Sequence, residues 1–156
     1  DEVMERINQR ILEDTKSRQF MSLFFGVIDP KTGVMTYANA GHPPPFLFST
    51  QAVDPITALH RTGTLLGIVK EETWTKATIT LSPGDGIFLY TDGVMEGLNE
   101  NGKIYGLKRL ETVLKEHLEH PVEMICSSVL MDLERFVGSE PQSDDIAVIA
   151  IRRGVG

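Results

Sequence analysis

Two sets of carboxylates stand where an apolar run ends or begins. Asp92 follows Ile87-Phe88-Leu89-Tyr90 and is followed by Gly93, while Asp144 and Asp145 directly precede the run Ile146–Ile151. If those runs are neighbouring antiparallel strands, the C-terminal end of the first lies beside the N-terminal end of the second. Asp92 and Asp144 then meet at one sheet edge. Converging carboxylates repel, and the repulsion raises the pKa of one of them unless a cation intervenes. Hard oxygen ligands suit Mg²⁺ or Mn²⁺, and such ions can activate water for attack on phosphorus. The plainer alternative is structural, because an aspartate at a strand end is a common turn former or helix cap and Asp-Gly a common turn dipeptide. Spacing alone leaves both open.

The remaining candidates read more plainly. His42 sits in a Gly/Pro-rich loop, and histidine as a residue type can serve as a general acid, yet here it reads as loop structure. His60, His117 and His120 lack ligand spacing and read as surface. Cys126 lies among apolar helix residues and reads as a small buried hydrophobe. Trp74 reads as packing. Gly63-Thr64-Leu65-Leu66-Gly67 lacks the Lys-Ser/Thr of a phosphate loop and is expected to turn the chain near the site. Glu96 reads as a solvated loop acid.

The elements that position these residues follow from periodicity. Val3, Met4, Ile7, Ile11 and Leu12 fall on one face of a 3.6-residue repeat and predict a helix over Glu2–Asp14. Met21–Ile28 is a nearly unbroken apolar run, expected as a central strand. Asp29-Pro30-Lys31-Thr32-Gly33 predicts a turn and Val34–Ala40 the returning strand of a hairpin. A short strand follows at Phe46-Leu47-Phe48. Residues 49–75 carry little signal. Lys76–Leu81 alternates as a strand with one wet face, and Ile87–Tyr90 is a buried strand. Leu107, Leu110, Leu114 and Leu118 mark a helix on which Glu111 stands four residues before Lys115. Pro121 opens another, with the stripe Val122, Ile125, Val129, Leu133 and Phe136 and a stop at Gly138. Ile146–Ile151 is expected as a buried last strand. This order predicts an α+β chain with largely antiparallel sheets.

Composition bounds the function. The 156 residues fit one domain, and 41% hydrophobic with 24% charged residues is a globular balance that excludes a disordered chain. A net charge of −7 with scattered basic residues argues against nucleic acid or an anionic membrane as partner. One cysteine excludes a disulfide framework and is compatible with a cytoplasmic location. No apolar run reaches the ~18 residues of a membrane span, so no membrane insertion is expected.

Four segments in order carry a family resemblance: Tyr37-Ala38-Asn39-Ala40-Gly41-His42-Pro43-Pro44, Leu81-Ser82-Pro83-Gly84-Asp85, Thr91-Asp92-Gly93-Val94-Met95-Glu96 and Ser143-Asp144-Asp145-Ile146-Ala147. Together they resemble the SpoIIE/RsbU-like bacterial branch of the metal-dependent PPM (type 2C-like) serine/threonine phosphatases, over essentially the whole chain. The resemblance implies a PPM-type α-β-β-α sandwich and two Mn²⁺ or Mg²⁺ ions held between aspartates. It implies hydrolysis of phosphoserine or phosphothreonine by a metal-activated water. Asp92 and Asp144 match metal-binding aspartates of the family, with Gly93 and Asp145 in supporting positions. The implied substrate is a phosphorylated regulatory protein such as a STAS-domain anti-sigma-factor antagonist, and the first helix reads either as a regulatory or homodimer contact or as a plain core-covering helix.

The departure matters as much. The family's N-terminal Gly-Asp-x-x-Asp and Asp-x-x-Gly-His-Gly motifs, which supply other metal ligands, are not in this sequence. The chain, which starts with Asp inside a helical pattern, therefore reads as a single PPM domain over 1–156 that lacks N-terminal strands, with exposed sheet edges and weak activity as a fragment. A rival reading is a phosphatase-like regulatory or dimerisation module without catalysis.

Overall fold

The computed structural model describes residues 2–16 and 19–154. Their elements run α1 (Glu2–Thr15), β1 (Leu23–Ile28), β2 (Val34–Ala40), β3 (Phe46–Phe48), β4 (Ile56–Ala58), β5 (Ala77–Thr80), β6 (Gly86–Tyr90), α2 (Asp92–Glu96), α3 (Gly106–His117), α4 (Val122–Val137) and β7 (Val148–Arg152). One sheet has the order β1-β2-β5 and the other β4-β3-β6-β7, with antiparallel pairing throughout. The expected α+β class with antiparallel sheets is the one observed. The chain divides into two compact units, one ending at Pro44 and resuming over Leu59–Pro83, the other built from Pro45–Ala58 and the chain from Gly84 onward.

In the first unit, Asp29 closes the β1–β2 hairpin. Its carboxylate accepts the Lys31 N–H and the Thr32 hydroxyl, while its amide donates to Val34 O. β2, not β1, is the central strand. β5 pairs with the other side of β2, which leaves β1 at the edge with Phe25, Val27 and Ile28 exposed. An unbroken apolar run reports neither the number of neighbours nor the face that is covered.

Helix α1 packs Met4, Ile7 and Ile11 against Ala38, Ala40, Leu66 and Trp74, whereas Val3, expected on that stripe, is exposed. The surprise on the buried face is polar. Asn8 is 1% exposed, donates Nδ2 to Val69 O at 2.9 Å and accepts the Gly67 N–H at 2.7 Å. Gly67 has φ +86°, and a Cβ there would come within 2.6 Å of Gln19 O, so this turn is held by α1 and reserved for glycine.

In the second unit, α3 and α4 cover the sheet with Leu110, Leu114, Ile125, Val129 and Leu133, which meet Phe46, Phe48, Phe88 and Tyr90. Three expectations change here. Leu107 is exposed, since α3 buries the Leu110–Val113–Leu114 face instead. Lys115 reaches toward Asp54, at 4.0 Å, rather than pairing with Glu111. The last strand begins at Val148 and is an edge. Its alternation turns Val148 and Ala150 toward the helical core and leaves Ile149 and Ile151 more than half exposed. The sequence carries no signal for strand β4, because Ile56-Thr57-Ala58 is too short for a periodicity and is not a continuous apolar run.

A polar cluster fastens α3 to α4. Arg109 donates Nε and Nη2 to Asp132 at 2.7 and 2.9 Å, Tyr105 donates its hydroxyl to the same carboxylate, and the guanidinium lies over the Phe136 ring. The Arg109 hydrogen bond holds Asp132 below the usual carboxylate range. A depressed folded-state pKa contributes stability above the unfolded value, and this is lost as pH falls through the folded one. Asp132→Asn is therefore expected to cost about 1 kcal/mol near neutrality, a figure kept small by the part-exposed Arg109. The gap between the two urea midpoints should close on acidification below about pH 4. A gap that stays constant with pH would remove the ion pair from the account.

Candidate metal centre

The site is built where β6 hands over to α2. The β6–β7 register pairs Gly86 with Arg152 and Tyr90 with Val148. At the far end of the pair, Arg153 O accepts the Gly84 N–H and Asp85 O accepts the Arg153 N–H, which locks the register from the turn. At the near end the pairing runs one step past the strands, with the Thr91 N–H on Ala147 O at 3.0 Å. The two acidic segments are thereby brought side by side, as the antiparallel argument requires.

Thr91 then closes the gap with its side chain. It occupies the N-cap position of α2 but makes no capping bond. Its hydroxyl instead donates to Asp145 O at 2.8 Å and accepts the Ala147 N–H at 2.9 Å. Gly93 presses against the same segment, since a Cβ on it would lie 2.6 Å from Asp145 O and 3.2 Å from Asp144 O. Neither this role of Thr91 nor helix α2 is readable from the sequence pattern. A motif shows which residues recur together, but the partners of a hydroxyl here are backbone atoms far along the chain.

Asp92, Asp144 and Asp145 are all exposed. Asp144 Oδ1 accepts the Asp145 N–H at 2.7 Å, and its carbonyl accepts Gln142 Nε2. Asp145 contributes its backbone carbonyl to the Thr91 clasp. Glu96, at the last position of α2, is exposed, in keeping with a solvated acid. Among the described residues no group of three or more His, Cys, Asp or Glu side chains is gathered as a metal cage.

The other candidates are accounted for locally. The His42 amide donates to Oδ1 of the fully buried Asn39. His60 and His120 are exposed, and His117 is half-buried with Nδ1 2.8 Å from Val113 O. Cys126 packs beside the core of the second unit, and burial pushes its thiol pKa up. No helix among the described residues is long and apolar enough to cross a membrane.

The Thr91 clasp predicts a graded series. Thr91→Val, similar in shape but without hydrogen bonding, is expected to cost about 1–2 kcal/mol. It should also speed hydrogen exchange at the Ala147 amide, and Thr91→Ser should keep most of that protection. Equal exchange in all three proteins would show that the clasp holds nothing.

Three comparisons bear on this arrangement. The family model described as Stage II sporulation protein E (SpoIIE) matches residues 1–154. Phosphoserine phosphatase RsbU of Bacillus subtilis is 28% identical over 159 residues, which covers 99% of this chain and 45% of RsbU. The SiaA-PP2C domain of Pseudomonas aeruginosa superposes with a TM-score of 0.83 at 19% identity, covering 96% of this chain and 59% of that one. The Mn-presoaked phosphatase domain of SpoIIE from Bacillus subtilis does so with 0.68 at 19% identity, covering 100% and 67%. The chain spans less than half the length of the curated relatives it matches. With its family model matched from end to end of the described structure and its fold that of PP2C domains, the chain belongs to the SpoIIE family.

Proposed function

We propose that residues 1–156 form a metal-dependent protein serine/threonine phosphatase domain of the PPM type. The observation that carries the reading is the convergence of Thr91-Asp92-Gly93 with Ser143-Asp144-Asp145 at one end of the β6–β7 pair. RsbU, similar over nearly the whole chain, is named a phosphoserine phosphatase, which supports the same chemistry.

Asp92 and Asp144 are the residues that would hold Mn²⁺ or Mg²⁺. Their hard, exposed carboxylates fit an ion that takes one or two protein carboxylates and keeps several waters. When bound, such an ion supplies positive charge to the phosphoryl oxygens and acidifies water. The chain's own part is positional. Thr91 fixes the segment carrying Asp144 to the end of β6, and Gly93 permits the close approach. Asp145 supports both through its carbonyl. The reaction converts a phosphomonoester and water to an alcohol and phosphate. The substrate in this reading is a phosphorylated regulatory protein of the STAS-domain type, met in the cytoplasm, with a homodimer contact through α1 as a further part of the reading.

The rival reading, a phosphatase-like module without catalysis, draws on the two-carboxylate donor set, to which the described residues add no third gathered ligand. The deciding test is hydrolysis of an aryl phosphate by the full chain with Mn²⁺ and with chelator. Turnover that needs the metal supports the phosphatase, and a folded protein without turnover establishes the module. Phosphate release from a phosphorylated STAS protein then tests the substrate.

A further inference from the structure

The second unit contains a cavity of about 230 Å³ that no step of the proposed reaction uses. Its wall includes Gly93 and Ser143, the sequence neighbours of Asp92 and Asp144. Consecutive Cα atoms are about 3.8 Å apart, so the cavity begins one residue from each candidate ligand. Small-molecule sites usually run from about 300 Å³ upward, which makes this space better suited to one side chain than to a whole ligand.

The lining has two halves. Leu130 and Val137 of α4 are apolar lining residues, while Glu134 of α4 and Glu140 beyond it are acidic ones, both exposed. Neither carboxylate has a hydrogen-bond or ion-pair partner among the described residues, and no Lys, Arg or His lines the cavity. An apolar wall beside unpaired carboxylates complements an aliphatic stem that ends in a cation. Lys and Arg bury their stems against apolar surface in this manner and keep the charged head solvated.

We propose that this cavity is a specificity pocket for a lysine or arginine side chain of the phosphoprotein substrate, seated a few residues from the phosphorylated one. The proposal rests on the phosphatase reading, because the phosphate at Asp92 and Asp144 is what brings the substrate chain past the cavity. It gives Glu134 and Glu140 the role of selecting a substrate by charge. The aspartates are left to the chemistry, and the −7 net charge of the chain favours the same basic partner at longer range.

The test uses the full chain and a panel of phosphopeptides that differ at one flanking position, which carries Lys, Arg, norleucine or Glu. Lys or Arg at one position is expected to lower KM by roughly three- to tenfold relative to norleucine, with kcat little changed and the preference fading in high salt. The double variant Glu134→Gln/Glu140→Gln and the plug Leu130→Trp should erase the preference while leaving aryl phosphate hydrolysis at the parent rate. A preference for norleucine, no preference at any position, or a Lys preference that survives both variants would overturn the proposal. If aryl phosphate is not hydrolysed at all, the phosphatase reading fails by itself. A fluorescent Lys peptide whose binding Leu130→Trp abolishes would then still support the pocket, and one that does not bind would sink it.

Discussion

Asp92→Asn and Asp144→Asn are each expected to lower Mn²⁺-dependent hydrolysis by at least about a hundredfold, since each removes a full negative charge from the donors of the proposed ion. Asparagine keeps the shape and one oxygen, so the loss is electrostatic rather than steric. Both aspartates are exposed, and substitutions at such positions usually change stability by no more than about 0.5 kcal/mol. Melting temperature thus separates this effect from unfolding. A variant that melts with the parent and has lost turnover supports the ligand role. One that retains turnover assigns the aspartate to the turn, the reading that spacing alone left open.

Gly93→Ala should be almost as damaging, by a different route. A Cβ is fixed by the backbone and has no rotamer to relieve it. At this position it would stand 2.6 Å from Asp145 O and 3.1 Å from the Asp145 carbonyl carbon. The neighbour is backbone, and that carbonyl is already committed to the Thr91 hydroxyl. Relief has to come from moving the segment that carries Asp144, and overpacking of this sort costs about 1–3 kcal/mol. A displacement near 1 Å at a catalytic site can cost about a hundredfold in rate. The expected result is a folded protein with a lower melting temperature, weaker Mn²⁺ binding by calorimetry and at least tenfold less turnover. Unchanged metal affinity would show that the loop yields without disturbing the aspartates.

These effects also mark what the sequence could and could not convey. Strands Val34–Ala40 and Phe46–Phe48 were legible to the residue because alternation or a tight apolar triplet lies between turn formers. Helices α1, α3 and α4 were legible through their apolar stripes. Convergence of the acidic segments followed once the two runs were taken as antiparallel neighbours, a pairing that β6 and β7 do make. What escaped depends on contacts distant in sequence. Asn8 lies on the apolar face of α1 because its amide satisfies the Gly67 turn, and a hydropathy pattern scores it as an interruption. Leu107, Ile149 and Ile151 look like core in one dimension, yet exposure is decided by which neighbours arrive. Residues 21–28 show the same thing from the other side, since apolarity did not make β1 central. Thr91 is the clearest instance at the site, where a common residue in a known motif acquires its role from carbonyls and amides beyond residue 144.

The pairing of β6 with β7 also dictates an order of assembly. Each half of the site is useless without the other, and the two join only when Gly86 to Tyr90 finds Val148 to Arg152, across the whole of α2, α3 and α4. Closing so long a loop is paid in entropy before any contact rewards it, and such non-local pairings are slow steps in folding. During synthesis Asp92 leaves the ribosome well before Asp144 exists. Packing of the helices on β3 and β6 does not complete the acidic edge, which stays open until the last strand docks. The candidate site is therefore completed late and in one stroke, when a strand that carries neither of the proposed ligands falls into register.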